Sequence, residues 1–472
     1  MANTKFLGIL TASIVVMLSG CVVGPDYHAR LPESPAGWNS PLEGGLLNQS
    51  ATVTTWWREF HDDGLTSLIE RAKESNLDLR VAQARLRQAR AQRDFRADDL
   101  APIVSSSTLA DRARQSQNQP LIGALPLPAN FPFEYDVYQT GFDAAWELDL
   151  FGGKRRALDA ATADWQGAIE GHNDVLVSLL AEVARNYIKL RSAQQRLAIN
   201  ARDLAAEKEL FKLASARRDG GVATDFDVTR AAAQLSGLEA LIPPFESAER
   251  TAMYSLAVLL GMQPGALVDE LSPAHTLPPL PPEVPVGLPS ELLRRRPDVR
   301  RAERQLAAET ARIGVAEAEW FPKISLTGDF GVESVSVSKW FEPGSRFWSI
   351  GPSISWNALD FGRVRATIHA QTAAQEAASV AYQKAALVAL EETESALVTY
   401  AQERNRDRAL SDTVDANRRS LELADSLYHE GRVNFLDVLD ARRSLFQAED
   451  QLAVSEAAVS LDLIALYKAL GG

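Results

Sequence analysis

The tightest constraint on this chain is a turn that occurs twice. Tyr428-His429-Glu430-Gly431-Arg432-Val433-Asn434-Phe435-Leu436-Asp437-Val438-Leu439-Asp440 joins two long segments free of strong helix breakers. Gly431 reads as a helix stop, because glycine takes the left-handed backbone conformation at little cost. Asn434, with Asp437 three residues on, reads as the N-cap of the next helix. Gly220-Gly221-Val222-Ala223-Thr224-Asp225-Phe226-Asp227-Val228 repeats the pattern, and the spacing is constant (431 − 221 = 210; 437 − 227 = 210). A fixed period means one structural unit used twice. Each copy ends in a tight hairpin between two long antiparallel helices.

The rest of the chain follows the repeat. Residues 1–20 read as a signal peptide and 21–60 as an extended arm rich in Pro, Gly and Ser, with Trp56-Trp57 packing it onto the body. The first repeat is assigned to 61–272 with its tip at 219–224, a Pro-rich linker to 273–289, and the second repeat to 290–472 with its tip at 430–434. One helix is expected from about Gly64 to Asp99, and its counterpart from about Ser290 to Trp320. Strands are expected from Ile103 to Arg114 and along Tyr138, Thr140, Phe142, Ala144, Trp146 and Leu148, which alternate with small or polar residues. Period two with one apolar face means a half-buried strand. The second half offers Ile324, Leu326, Phe330 and Val332, then Trp348, Ile350, Pro352, Ile354 and Trp356. The helices launched after Phe151 and Phe361 each need roughly 65 residues, or roughly 100 Å. Pro243-Pro244 predicts a break or a kink in the first return helix.

There is one cysteine, Cys21, so no intrachain disulfide exists. It closes a short apolar run that starts after Lys5, a run too short for a comfortable bilayer span. Leu18-Ser19-Gly20-Cys21 resembles a bacterial lipoprotein signal box, in which the chain is cut before the cysteine and the cysteine then carries lipid, palmitate included. Val22 follows, not the aspartate that marks inner-membrane retention in such signals, which favours the outer membrane. A net charge of −13 argues against a nucleic-acid partner.

Four amphipathic strands on an exported chain, beside helices too long for a compact covering layer, point to a membrane barrel with lipid outside and water inside. A soluble sheet with helical arms is the alternative. A barrel must close, since open sheet edges cannot face lipid, and bacterial barrels have at least about 8 strands. The chain is therefore expected to be an oligomer sharing one barrel. Its long hairpins need lateral packing into a tube to bury their apolar faces. The six histidines are scattered without zinc-type spacing, and there is no phosphate-binding loop. Asp360-Phe361-Gly362 spells a kinase triplet without the accompanying motifs and reads as a strand-to-helix junction. No catalytic, cofactor or metal residue is assigned, and the chain is not read as an enzyme.

Six stretches carry a family resemblance by their order along the chain: Cys21-Val22-Val23-Gly24-Pro25-Asp26-Tyr27, Trp56-Trp57, Leu292-Leu293-Arg294-Arg295-Arg296-Pro297-Asp298-Val299, Trp320-Phe321-Pro322, Leu359-Asp360-Phe361-Gly362, and Gly431 to Ala441. The chain resembles the TolC family of outer-membrane efflux proteins, and within it the lipoprotein, NodT/OprM-like branch. The resemblance implies an α+β membrane protein. Its homotrimer would share a twelve-stranded outer-membrane β-barrel continuous with a long periplasmic α-helical barrel. It implies a passive exit duct for drugs and other toxic small molecules, docked at its tips on a periplasmic adaptor and fed by an inner-membrane pump of the resistance-nodulation-division (RND) type. Export of proteins by a type I secretion system, or a structural lipoprotein without a pore, are the competing functions.

The resemblance also assigns the tips. Aspartates ringing the tunnel aperture fall on Asp437 and Asp440, and a link between neighbouring coils falls on Tyr428 and Asp227. The arginine of a second link falls on Val433, so that link is absent or replaced, with Arg432 pointing differently. Gly220, Gly221, Val222, Gly431, Arg432 and Val433 are the docking turns. Asp437 and Asp227 also suit plain helix capping, and Tyr428 plain packing at a helix end; both readings stay open. Asp440 is less easily explained as a cap. Carboxylates crowded on a symmetry axis repel one another and attract cations, which implies an aperture sensitive to divalent ions.

Overall fold

Runs of Ala, Leu, Arg, Gln and Glu without internal proline dominate the chain, and such residues lose little side-chain freedom in a helix. The computed structural model describes residues 22–49, 54–117 and 132–472. Cys21 and the signal peptide assigned to 1–20 lie outside the described residues. In chain order the main elements are α1 (Asp63–Ser75), α2 (Leu77–Asp98), β1 (Ile103–Arg114), β2 (Glu134–Leu148), α3 (Gly153–Asp219), α4 (Asp225–Glu239), α5 (Ile242–Leu259), α6 (Pro289–Arg295), α7 (Pro297–Ala318), β3 (Lys323–Ser334), β4 (Arg346–Ser355), α8 (Phe361–His429) and α9 (Phe435–Ala469). At 67 and 69 residues, α3 and α8 each extend about 100 Å. The chain divides into two compact units, one of Met1–Ala29, Arg87–Gln166 and Glu303–Val380, the other of Arg30–Leu86, Gly167–Ala302 and Ala381–Gly472.

The first unit holds a four-stranded antiparallel sheet in the order β1-β2-β3-β4. Its register stacks the apolar residues across strands: Phe142 opposite Phe330 opposite Trp348, and Trp146 opposite Leu326 opposite Pro352. The other face carries Asp143, Asp329 and Ser349 in one row and Gln139 and Glu333 in another. The apolar face is bare, with Trp348 73% exposed. The outer edges of β1 and β4 pair with no further strand among the described residues. At the sheet–helix junction the Trp146 indole donates to the Leu100 carbonyl at 2.9 Å, and the Trp356 indole donates to the Trp320 carbonyl at 3.1 Å. The two halves thus use the same anchor at equivalent places. The segment from Val22 to Tyr27 is strapped to this junction. The Val23 amide donates to the Phe151 carbonyl, and the buried Arg156 guanidinium donates to the carbonyls of Val23 and Gly24 and to Asp26. Gly24, at φ +90, lies so close to Gly314 that a Cβ on it would sit 2.3 Å from the Gly314 Cα.

The second unit is built on an apolar core in which Trp56, Trp57 and Phe60 meet α1, α3, α5 and α9, with Trp56 stacked on Tyr467 at 5.2 Å. The arm is therefore packed as its tryptophans suggest. It also pairs Leu46–Leu47 in parallel with Val284–Pro285 of the linker. The break expected at Pro243-Pro244 is present: α4 ends at Glu239 and α5 starts at Ile242 with both prolines in its first turn.

Two helices expected to be continuous are each broken once. The break at Arg296 follows from Pro297, which pushes the preceding residue into extended backbone (ψ 123). The break at Asn76 (ψ 133) has no proline behind it. Its cause is tertiary. The Asn76 amide donates to the Leu259 carbonyl at 2.8 Å, and its Oδ1 accepts from the Leu79 amide at 2.8 Å. The side chain therefore serves carbonyls left over at the end of α5 and amides left over at the start of α2. In the second repeat the Arg296 guanidinium donates to the Ala469 carbonyl at 3.1 Å, and Arg295 donates to the Leu470 carbonyl at 2.9 Å.

Candidate functional site: the two helix tips

Both tips lie in the second unit, and each is built by backbone chemistry that its sequence dictates. At the end of α3 the Val222 amide donates to the Arg217 carbonyl and the Gly221 amide to the Arg218 carbonyl, both at 2.8 Å. At the end of α8 the Arg432 amide donates to the Leu427 carbonyl at 2.9 Å and the Gly431 amide to the Tyr428 carbonyl at 3.0 Å. This paired bonding requires a left-handed residue, supplied by Gly221 (φ +71) and Gly431 (φ +73). The next helix then begins at once. Thr224 and Asp227 form a reciprocal capping box on α4, as do Asn434 and Asp437 on α9.

The capping expected of Asp227 and Asp437 is thus present. One oxygen of Asp227 accepts both the Thr224 amide (2.9 Å) and the Thr224 hydroxyl (2.8 Å). The backbone bond from Thr224 first, and its hydroxyl second, hold the Asp227 carboxyl below the usual carboxylate range. Asp437 accepts the Asn434 amide at 3.0 Å. Asp440 is placed differently: its Oδ1 accepts from the Arg230 guanidinium on α4 at 2.6 Å. Tyr428 packs against Phe435 at 5.9 Å, with the Arg217 guanidinium 5.2 Å from its ring centre. Its hydroxyl is buried without a hydrogen-bond partner among the described residues, so within one chain Tyr428 and Asp227 are not joined.

The two tips differ in surface chemistry. The first exposes Val222 (69%) and Phe226 (63%). In the second, Arg432 pairs with Glu430 at 3.3 Å, while Val433, Phe435 and Leu436 are half-buried. Gly220, Gly221 and Gly431 are exposed. Above the tips, charge pairs tie α3 to α9: Arg196 grips Asp450 with two bonds of 2.7 and 3.0 Å, and Arg202 grips Glu449. Sequence reading did not single out Arg230 or Arg217. Arg230 had a signal, because it stands 210 residues from Asp440 and so occupies the equivalent place in the other repeat with the opposite charge. Among the described residues no group of three or more His, Cys, Asp or Glu side chains could hold a metal ion.

The family model described as "Outer membrane efflux protein" matches residues 68–262 and again 288–472. Nodulation protein T of Rhizobium leguminosarum bv. trifolii is 31% identical over 454 residues, 95% of this chain and 94% of that one. The antibiotic efflux pump outer membrane protein ArpC of Pseudomonas putida is 31% identical over 462 residues, 97% of this chain and 93% of that one. The solved structure of the outer-membrane channel OprN is 39% identical with a TM-score of 0.88, covering 96% of this chain and 99% of that one. The chain belongs to the outer membrane efflux protein family, that is the TolC family, in its NodT/OprM-like branch. It is an outer-membrane protein reaching into the periplasm, the exit duct of a tripartite efflux system, with a transport role.

Proposed function

We propose that three copies of this chain close their sheets into one twelve-stranded barrel, and that the duct so formed passes small molecules passively from an RND-type pump and its periplasmic adaptor to the cell exterior. The observation that carries this reading is the sheet of β1 to β4. It has a bare apolar face, a polar opposite face and two edges that pair with no further strand among the described residues. In lipid such edges must be paired, and four strands are too few to close alone. The name of ArpC, an antibiotic efflux protein, supports small-molecule cargo. Two separate family-model matches support a chain of two repeats, 61–272 and 290–472, with 273–289 between them. Cys21 carries the lipid anchor and no chemical step occurs on the chain. The tips are the periplasmic mouth, with Asp437, Asp440, Tyr428 and Asp227 at the aperture. Gly220 to Val222 and Gly431 to Val433 are the docking turns, and the apolar contact with the adaptor falls on Val222 and Phe226.

Planar-bilayer recording of the purified oligomer tests the duct. Stepwise single-channel conductance is expected. A correctly folded oligomer that conducts nothing would leave a bridging lipoprotein as the function.

A further inference from the structure

The ends of α2 and α7 that lead into β1 and β3, and the starts of α3 and α8 that follow β2 and β4, form a cleft of about 740 Å³. Sites for drug-sized molecules run from about 300 to 1,000 Å³. Its apolar wall is Phe95, Val315 and alanines of α2 and α3. Phe95 is 62% exposed, so its ring has room for a planar partner. The charged groups of the lining are already paired: Arg312 with Asp164 at 2.5 Å, Arg96 with Asp99 at 3.1 Å, and Glu319 with Lys323 at 2.7 Å. Gln88, Gln92 and Gln371 also line it, and their side-chain amides have no hydrogen-bond partner among the described residues. Each offers a donor and an acceptor.

The cleft lies away from the strap at Val22 to Tyr27. Gly314 of α7 meets Gly24 of the strap, whereas Arg312, Val315, Ala316 and Glu319 sit roughly 100–160° round the helix from it. A lipid on Cys21 has to reach the membrane, so the strap runs over the outside of the duct and the cleft opens to its inside. We propose that this cleft is a resting site for cargo. It takes a planar aromatic molecule of drug size without net charge, whose ring lies on Phe95 and whose amide or hydroxyl groups bond the glutamines. The paired charges leave no bare ion to select an acid or a base. The inference rests on the readings of Cys21 as the lipid-bearing residue and of small molecules as cargo.

Chloramphenicol, a neutral aromatic amide, is the probe. Cys21 is the only cysteine and its sulfur is taken by the lipid, so Gln92→Cys gives the full-length oligomer a single free thiol. Chloramphenicol is expected to slow modification of that thiol by a small methanethiosulfonate roughly threefold or more, half-maximally on the order of 0.1 mM. Ser411→Cys, on an exposed part of α8, should react at an unchanged rate. Phe95→Ala is expected to raise the concentration needed roughly tenfold, and Phe95→Tyr to leave it as it was. A bulky polyethylene-glycol maleimide coupled at Gln92→Cys is expected to lower single-channel current. No slowing at Gln92→Cys in an oligomer that conducts overturns the proposal while the duct stands. So does equal slowing at both thiols, or protection indifferent to Phe95→Ala. A thiol that reacts only once the oligomer is dissociated overturns it too, because a neighbouring copy then fills the cleft. A current unchanged by the maleimide puts the cleft on the outside, with the same consequence. An oligomer that conducts nothing removes the duct and the site together.

Discussion

Asp462 on α9 is a carboxyl group that the fold makes harder to ionise. Burial first, and the nearby Glu403 second, push its pKa up from 3.8 to about 6. The folded chain therefore binds this proton more tightly than the unfolded one. The penalty is absent below about pH 4, grows through pH 4–6, and is complete above about pH 6. Asp462→Asn is expected to stabilise the protein by about 1–2 kcal/mol at pH 7.5, after discounting for partial exposure, and by nothing at pH 4. Thermal melts of the detergent-solubilised protein at the two pH values check this; an equal shift at both would refute the ionisation account. At this scale the sequence was informative where chemistry is local. The left-handed glycines and both capping boxes follow from residue type and spacing. Arg230 was harder to see, because its partner lies 210 residues away and only the repeat brings the two into register.

Among the elements, the helix breaks show where reading by periodicity stops. Pro297 announces one break; the other, at Asn76, depends on the end of α5, more than 180 residues onward. Asn76→Ala removes a donor to Leu259 and an acceptor for Leu79. The expected cost is about 1–2 kcal/mol. Hydrogen exchange should localise it: amides in the first turn of α2 lose protection, while the equivalent turn of α7, where Arg296 donates to the Asp298 carboxylate, does not. Uniform loss across both turns would argue against a local cap. The long helices and the four strands were legible because their patterns persist over many residues. β1, weakly patterned in sequence, is held by twelve residue pairs with β2, a cooperative effect that no local window contains.

For the whole molecule, the decisive property is the asymmetry of the sheet. Ile350 lies on the bare apolar face, opposite Gly328, whereas its neighbour Ser349 lies with Asp329 on the polar face. Arginine at 350 is expected to cost about 2–4 kcal/mol if that face meets lipid at mid-depth, and to deplete the protein from the outer-membrane fraction. Arginine at 349 is expected to leave fractionation as it was. Equal behaviour of the two variants would remove the case for a lipid-facing side.

The strap at Val22 to Tyr27 sets a limit on slack. The Val23 amide is bonded to Phe151, and Arg156 and Gly314 hold the following residues. With the lipid on Cys21 as proposed, only Val22 lies between the tether and the residue that makes that bond, a reach of about 7 Å at most. The acyl chains then act as a depth stop for the end of the sheet nearest the helices, set by the chain's own covalent geometry.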